Sequence, residues 1–288
     1  MKIAYTVEDV KSQVREWKKE GLTVGLVPTM GYLHEGHESL IKRAVAENDR
    51  VVVSVFLNPT QFAPNEDLAS YPRDFEADTK LCEGAGAALV FHPEPSEMYA
   101  EDACTFVDMT AVTKELCGKS RPIHFRGVCT VIAKLLNTVT PDRIYFGQKD
   151  AQQLAIIRRM VRDLNFDVEV IGCPIVREQD GLAKSSRNTY LSPEERKAAL
   201  VLSRSVRKGQ DLVASGVRNS AELLASMKER LEEEPLADVE YVEVVDGENM
   251  QPVETFKEGD LVAMAVRIGT TRLIDNFTVG DPAISFEG

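Results

Sequence analysis

The chain has 288 residues, 43% of them hydrophobic, and carries 34 lysines and arginines against 46 aspartates and glutamates, a formal charge of −12. That much apolar side chain supplies a core without staples, and the acidic balance excludes a surface built to neutralise many phosphates, so nucleic acid is not an expected partner. Five scattered cysteines without a C-x-x-C pair exclude a disulfide framework and a zinc cluster, and no window approaches the roughly 18 apolar residues of a membrane span, so a cytoplasmic location with no membrane partner is expected.

In chain order, short β-branched runs alternate with helical periods. Strands are predicted at 22–27 ("LTVGLV"), 50–58 ("RVVVSVFLN"), 87–93 ("AALVFHP"), 143–147 ("RIYFG") and 167–176 ("DVEVIGCPIV"). Between them lie helix-like stretches such as "HESLIKRAVAEN", "FEADTKLCEGAG", "VCTVIAKLLNTV" and "AQQLAIIRRMVRDL". Uninterrupted apolar strands separated by amphipathic helices predict βαβ units, hence an α/β fold: a Rossmann-like, doubly wound parallel sheet covered on both faces. After Val176 the rhythm changes to long helices, "SPEERKAALVLSRSVRKGQDLVASG" and "SAELLASMKERLEEE", the first opening on Ser192 as N-cap, Pro193 at N1 and two glutamates in the first turn. Then "DVEYVEVVD", "LVAMAVRIGTT" and "TRLIDNFTVG" alternate like half-buried antiparallel strands. The predicted organisation is a catalytic domain over 1–176 and a smaller C-terminal α+β domain over 177–288.

Ligands of such sheets bind beyond the carboxyl ends of the strands. "VPTMGYLHEGH" occupies that position after the first long apolar strand. Gly31 and Gly36 permit close backbone approach, and a helix starting near Gly36 offers free N–H groups and a positive dipole end to a phosphate. His34 and His37, three apart, are placed to donate hydrogen bonds to a triphosphate and to the charge that grows when it is attacked. The bland reading is that they only cap and pack the turn; a paired H-x-G-H at a strand-to-helix turn favours phosphate chemistry. "TKELCGKS" ends like a P-loop, yet Thr113 stands where its first glycine is required.

Three further stretches lie at strand ends. "FLNPTQFAPNEDLASYPRDFEAD" brings Asn58 and Gln61, "YFGQKDAQQL" brings Lys149, Asp150 and Gln153 after a turn at Gly147, and "DGLAKSSRNTYLS" brings Lys184, Ser185, Ser186 and Arg187. Singly, each reads as an ordinary loop or solvated turn; their shared placement favours a joint site.

Together, "PTMGYLHEGHESLI", "NPTQFAPNEDLASYPRDFEAD", "HFRGVCTVIAKLLN", "YFGQKDAQQLAIIRRMVRDL" and "DGLAKSSRNTYLS" resemble the pantothenate synthetase family, the pantoate–β-alanine ligases of the H-x-G-H nucleotidylyltransferase superfamily, over residues 22–196 and in the family's order. The resemblance implies ATP-dependent condensation of (R)-pantoate with β-alanine through pantoyl adenylate, with AMP and pyrophosphate as products. It implies that Met30, Gly31, Tyr32, Leu33, His34, Glu35, Gly36 and His37 bind ATP, His37 being the residue usually described as proton donor. It further implies that Gly147, Gln148, Lys149 and Asp150 contact the nucleotide, Lys149 on phosphate charge and Asp150 on ribose, and that Val176 gives a backbone contact to adenine. Lys184 to Arg187 would form a mobile phosphate loop and the C-terminal domain a lid over the active site. Gln61 and Gln153 would hold pantoate, Gln61 also lying near β-alanine, with Asn58 assisting. Asp78 would position Mg²⁺, and the chain would be a homodimer. At 184 this chain has lysine where the family commonly has methionine or leucine; its backbone is expected to matter more than its ammonium. The competing readings are a nucleotidylyltransferase acting on a phosphorylated acceptor, which gives no reason for the two glutamines, and a non-catalytic nucleotide-binding regulator, which needs no acceptor pocket.

Overall fold

The computed structural model describes residues 1–284. The chain forms two compact units, one built from 1–110, 121–148 and 156–174, the other from 111–120, 149–155 and 175 onwards. The change of unit nearest the expected boundary falls between Pro174 and Ile175. In addition, two short stretches from earlier in the chain belong to the C-terminal unit.

The first unit is a six-stranded sheet of β1 (Lys2–Ala4), β2 (Val24–Thr29), β3 (Arg50–Val55), β4 (Leu89–Phe91), β5 (Arg143–Gly147) and β6 (Glu169–Cys173), in the order β1-β4-β3-β2-β5-β6. Every pairing is parallel, so the expected Rossmann-like α/β architecture is observed. Consecutive apolar residues make this possible: Val51, Val52 and Val53, then Leu89, Val90 and Phe91, are all at most 1% exposed, as strands covered on both faces must be. Ile41 and Ala44 of the helix Glu35–Glu47, and Cys82 of the helix Phe75–Gly84, pack with Val27, Val53 and Val90 in one such layer. All five predicted strands are present: β5 has the predicted bounds, β2 is shifted two residues onward, β3, β4 and β6 are shorter than the predicted runs, and β1 is an addition. Three residues with only Ala4 buried leave no alternation to read; pairing with β4 makes the strand.

From β2 the chain proceeds outward to β3 and β4, then returns to the other side of β2 to lay down β5 and β6. The strand order therefore reverses between β2 and β5, which is where open α/β sheets form their binding crevice.

The C-terminal unit carries an antiparallel sheet of β7 (Ala237–Val245), β8 (Leu261–Ile268) and β9 (Thr271–Thr278), packed with the helices Leu200–Ala214 and Ser220–Glu232 through Val206, Leu223, Met227 and Leu231. Two expectations change here. The long helix opening at Ser192 is two, Pro193–Ala198 and Leu200–Ala214, joined at Ala199. Its start is as predicted: the Ser192 side chain accepts from the Glu195 N–H and the Glu195 carboxylate accepts from the Ser192 N–H, a reciprocal cap. And β8 does not alternate; all its residues except Arg267 are buried. Part of the sheet is covered by the two early stretches, for the Tyr241 hydroxyl lies 3.2 Å from Cys117 Sγ and the Asn276 amide donates to the Lys149 carbonyl at 2.8 Å.

Arg177 forms a two-pronged pair with Asp275, at 2.7 and 2.8 Å, and also donates to the Gly181 carbonyl. The Asp275 side chain is only 1% exposed. Removing one partner of a buried pair strands the other charge. Arg177→Met is therefore expected to lower unfolding free energy by about 3–5 kcal/mol in urea denaturation followed by circular dichroism, and Arg177→Met with Asp275→Leu to recover most of that loss. No recovery in the double variant would contradict this reading.

Candidate active site

β2 ends at Thr29, and the chain turns through Met30, Gly31, Tyr32 and Leu33 before the helix Glu35–Glu47 begins. Gly31 has φ +87° and Tyr32 φ +54°, two successive left-handed residues of which the second is costly for a bulky side chain. Asp78 holds them there. Its two carboxylate oxygens accept from the Tyr32 N–H at 2.9 Å and the Leu33 N–H at 2.6 Å, and the residue is 3% exposed. Burial pushes its pKa above the usual carboxylate value, against the pull of those two N–H groups. A Cβ on Gly31 would lie 3.1 Å from Asp78 Oδ2 and 3.3 Å from Val55, so the turn is closed tightly over this carboxylate.

His34 is the N-cap of the helix. Its Nδ1 accepts from the Gly36 N–H at 3.1 Å, while Nδ1 of His37 accepts from the His34 N–H at 3.2 Å. This is a capping box in which imidazoles replace the usual hydroxyl and carboxylate. The rings sit 4.1 Å apart, tilted by 42°. A backbone N–H only donates, so both Nδ1 atoms are acceptors and the neutral rings carry their hydrogen on Nε2. The turn therefore presents two imidazole N–H donors at a helix N-terminus, whose own dipole favours an anion.

The adjacent strand β3 leads into a single turn of 3-10 helix, Pro59–Gln61, capped by Asn58. Asn58 is 1% exposed and Gln61 7%. Oδ1 of Asn58 accepts from the Thr60 N–H (3.3 Å), the Thr60 hydroxyl (2.9 Å) and the Tyr99 hydroxyl (2.8 Å); its Nδ2 donates to the Gly127 carbonyl (3.2 Å) and to Gln61 Oε1 (3.0 Å). Gln61 Nε2 is then left to face Met30, donating to its sulfur at 3.1 Å. Behind the turn, the Gln61 carbonyl receives His124 Nδ1 at 3.0 Å and Arg121 at 3.5 Å, and Arg121 is paired with Glu66. Burial alone would raise the Glu66 pKa; Arg121 and the Ala63 N–H outweigh it and bring it below the usual value. Gly127 is required for this contact, since a Cβ would lie 2.5 Å from the Thr60 carbonyl and 2.6 Å from the Gln61 backbone.

The structure thus brings Met30, Gly31, Tyr32, Leu33, His34, Glu35, Gly36, His37, Asn58, Gln61 and Asp78 together on the first unit, which also holds Gly147 and Gln148 at the end of β5. The C-terminal unit carries Lys149, Asp150, Gln153, Val176 and Lys184 to Arg187. Lys149 is half-buried and Asp150 exposed, both in the 3-10 turn Gln148–Asp150. Gln153 is half-buried near the start of the helix Ala151–Asp163, while its neighbour Gln152 faces inward, holding the carbonyls of Val112 and Glu115 and the Cys117 N–H. The Val176 carbonyl accepts from the Lys184 N–H at 2.9 Å. Ser185 caps the 3-10 turn Ser186–Tyr190, and Ser186 is buried. Arg196 pairs with Glu178 and Asp180 at the base of this loop.

Sequence reasoning missed Tyr99, Arg121, His124 and Gly127. The stretch "HFRGVCTVIAKLLN" contains two of them, but their partner lies about sixty positions earlier. His92, the remaining histidine, is structural: its ring stacks on Phe75 at 3.9 Å and Nδ1 meets the Val55 carbonyl. The P-loop-like stretch becomes one helical turn, Cys117–Ser120. Among the described residues no group of three His, Cys, Asp or Glu converges to hold a metal ion, and both oxygens of Asp78 are already engaged by backbone; the donor set does not amount to a resident Mg²⁺ site. Nor is any described helix long and apolar enough to cross a membrane.

A parallel sheet whose reversal point carries a helix N-terminus lined by two imidazoles is an α/β architecture with an anion-binding crevice at the switch point. The family model described as pantoate-beta-alanine ligase matches residues 2–278. The chain is 62% identical over 278 residues to a pantothenate synthetase of Ruminiclostridium cellulolyticum, covering 96% of this chain and 99% of that one. It is 58% identical, with the same coverage, to one of Clostridium acetobutylicum. The crystal structure of pantothenate synthetase from Thermus thermophilus superposes with a TM-score of 0.92 at 46% identity, covering 97% and 99% of the two chains. A pantoate-beta-alanine ligase from Francisella tularensis, crystallised with beta-gamma ATP and beta-alanine, gives 0.80 at 32% identity, covering 99% and 100%. The chain belongs to the pantoate–β-alanine ligase family, and its reaction is the condensation of pantoate with β-alanine.

The fit of Gly127 against Gln61 makes a direct test. Gly127→Ala is expected to cost about 1–3 kcal/mol, as forced overpacking does, read as a lower thermal midpoint. A midpoint within about one degree of the parent would mean that the close approach is not needed.

Proposed function

We propose that the chain carries out this condensation in two steps and uses ATP to activate the acid. A pantoate carboxylate oxygen attacks the α-phosphorus, the bond to the departing pyrophosphate breaks, and pantoyl adenylate forms. The β-alanine amine then attacks the acyl carbon, the bond to AMP breaks, and the amine gives up a proton as the amide forms. Activation is needed because a free carboxylate is a poor electrophile, and holding the adenylate beside the amine supplies a proximity advantage that reaches about 7–11 kcal/mol in well-oriented reactions.

The observation that carries this reading is the histidine capping box. Two Nε2–H donors fixed at a helix N-terminus suit the phosphate oxygens, and they need no reorganisation as charge develops on the leaving pyrophosphate. On the same reading Met30 to His37, Gly147 and Gln148 cradle the nucleotide, Lys149 adds positive charge, Asp150 takes the ribose and the Val176 backbone the adenine. Gln61 and Gln153 hold pantoate. Asn58 has no donor or acceptor left over and acts through Gln61. Mg²⁺ enters on the phosphates, as it commonly does when proteins provide few ligands, so it is part of the substrate. Lys184 to Arg187 form a loop that closes over the phosphates, with Gly181 (φ +94°) as its hinge, and the C-terminal domain 177–288 serves as the lid. The chain acts as a homodimer, which sedimentation velocity tests by finding either two chains or one.

His34→Asn and His37→Gln separate capping from chemistry. Asparagine is a strong N-cap and glutamine keeps the N3 acceptor, so both variants should unfold close to the parent. With the carboxamide oxygen engaged by the cap, the remaining N–H donors of Asn and Gln do not take the position of the imidazole Nε2–H, so pantoate-dependent pyrophosphate release should fall by roughly 10²–10³ each. Release within a few-fold of the parent in both variants, or release independent of pantoate, would overturn the proposal. For the loop, amide exchange across residues 180–190 should slow on adding ATP with Mg²⁺; unchanged exchange at saturating nucleotide would show a static turn.

A further inference from the structure

The orientation of the Gln61 carboxamide is determined by backbone groups that have no alternative. The Thr60 N–H only donates, so the Asn58 atom it meets is Oδ1; the Gly127 carbonyl only accepts, so the atom it meets is Nδ2. Asn58 Nδ2 then requires an acceptor on Gln61, which leaves Gln61 with its two N–H bonds directed away from Asn58 and, among the described residues, only the weak acceptor Met30 Sδ taking one of them. Gln61 is a donor to whatever it binds.

The remaining fixed point of this chain is Tyr99. It follows the short helix Pro95–Met98 beyond β4, a strand away from Asn58, which follows β3. Its hydroxyl reaches Asn58 Oδ1 at 2.8 Å and Thr60 Oγ at 3.2 Å, and its ring lies 6.4 Å from Phe56 and 5.6 Å beneath Lys134 Nζ. Burial pushes the phenol pKa above its ordinary value, so the group keeps its proton and stays a donor.

We propose that Tyr99 is a positioning residue for the acid substrate: through Asn58 it holds the Gln61 carboxamide with Nε2 towards the ligand, and so makes the site demand an oxygen acceptor there. The proposal rests on Gln61 binding pantoate, and adds a residue that steadies, through Asn58, the place and polarity the backbone gives this amide. Tyr99 itself does not touch the substrate. Selectivity follows from the arrangement, because a buried donor left without its acceptor is penalised more than a well-made bond is rewarded.

The test measures Michaelis constants for pantoate and ATP in the parent, Tyr99→Phe, Gln61→Ala and the double variant, together with discrimination against a pantoate analogue lacking one hydroxyl. Tyr99→Phe removes one hydrogen bond and should raise the pantoate KM about five- to tenfold, leave the ATP KM within about twofold, narrow the preference for pantoate over the analogue, and leave the thermal midpoint nearly unchanged. In the Gln61→Ala background the same change should add nothing, since residues acting in one chain are not additive. A pantoate KM unaltered by Tyr99→Phe while Gln61→Ala raises it overturns the role of Tyr99 and leaves the Gln61 reading standing. Additive effects, or equal losses for both substrates with a lowered midpoint, overturn it as well, by showing general support of the fold. If Gln61→Ala itself leaves the pantoate KM unchanged, the Gln61 reading fails and the proposal with it.

Discussion

Two imidazoles close the N-terminus of the helix Glu35–Glu47, each using Nδ1 as an acceptor for a backbone N–H of its own turn. Most of the site depends on this reciprocal pairing. It ends the loop from β2 at a defined point, fixes both rings relative to the helix axis and leaves each with Nε2–H as its donor. Capping and phosphate chemistry are often set against each other as readings of a histidine at a turn. Here the two are compatible, because a neutral ring that uses Nδ1 as the cap's acceptor carries its hydrogen on Nε2. The strained backbone before the helix is held from below by Asp78, whose carboxylate takes two successive N–H groups in place of solvent.

The same device, a polar side chain oriented by backbone, recurs at the end of β3. Asn58 is anchored at one end by an N–H and at the other by a carbonyl, and passes that orientation to Gln61. Close approach of the helix His124–Val139 at Gly127 supplies the carbonyl, so packing between a helix and a one-turn loop decides which atom of a glutamine meets a ligand. In both places most of the side chain's bonds are internal, and preorganisation rather than adaptability is the result.

Much of the fold was legible because its signals are local. Runs such as "VVVSV" and "ALVF" can only be strands buried on both faces, Ser192 with Glu195 can hardly be anything but a helix start, and H-x-G-H sits where strand and helix patterns meet. What escaped was non-local. β1 has too few residues to show a period. Part of the coverage of the C-terminal sheet, at Tyr241 and Asn276, comes from residues 111–120 and 149–155, far away in sequence. The break at Ala199 interrupts a stretch whose local pattern is uniformly helical. Of the site, the residues at strand ends could be named, whereas Tyr99, His124 and Gly127 enter it by meeting Asn58 and Gln61 from distant parts of the chain. Asp78 was expected beside a metal; its hydrogen bonds to Tyr32 and Leu33 join residues more than forty positions apart, and no spacing rule anticipates them.

The central claim, that the backbone of the turn fixes the hydrogen of both rings on Nε2, is open to direct measurement. Nitrogen-15 NMR of the histidine-labelled protein near neutral pH, with each ring assigned by substitution, distinguishes a protonated from an unprotonated ring nitrogen. For His34 and His37 the account predicts an unprotonated Nδ1 and a protonated Nε2 in the free protein, preserved when ATP and Mg²⁺ are added. A protonated Nδ1 on either ring would remove the acceptor its capping bond requires and contradict the account.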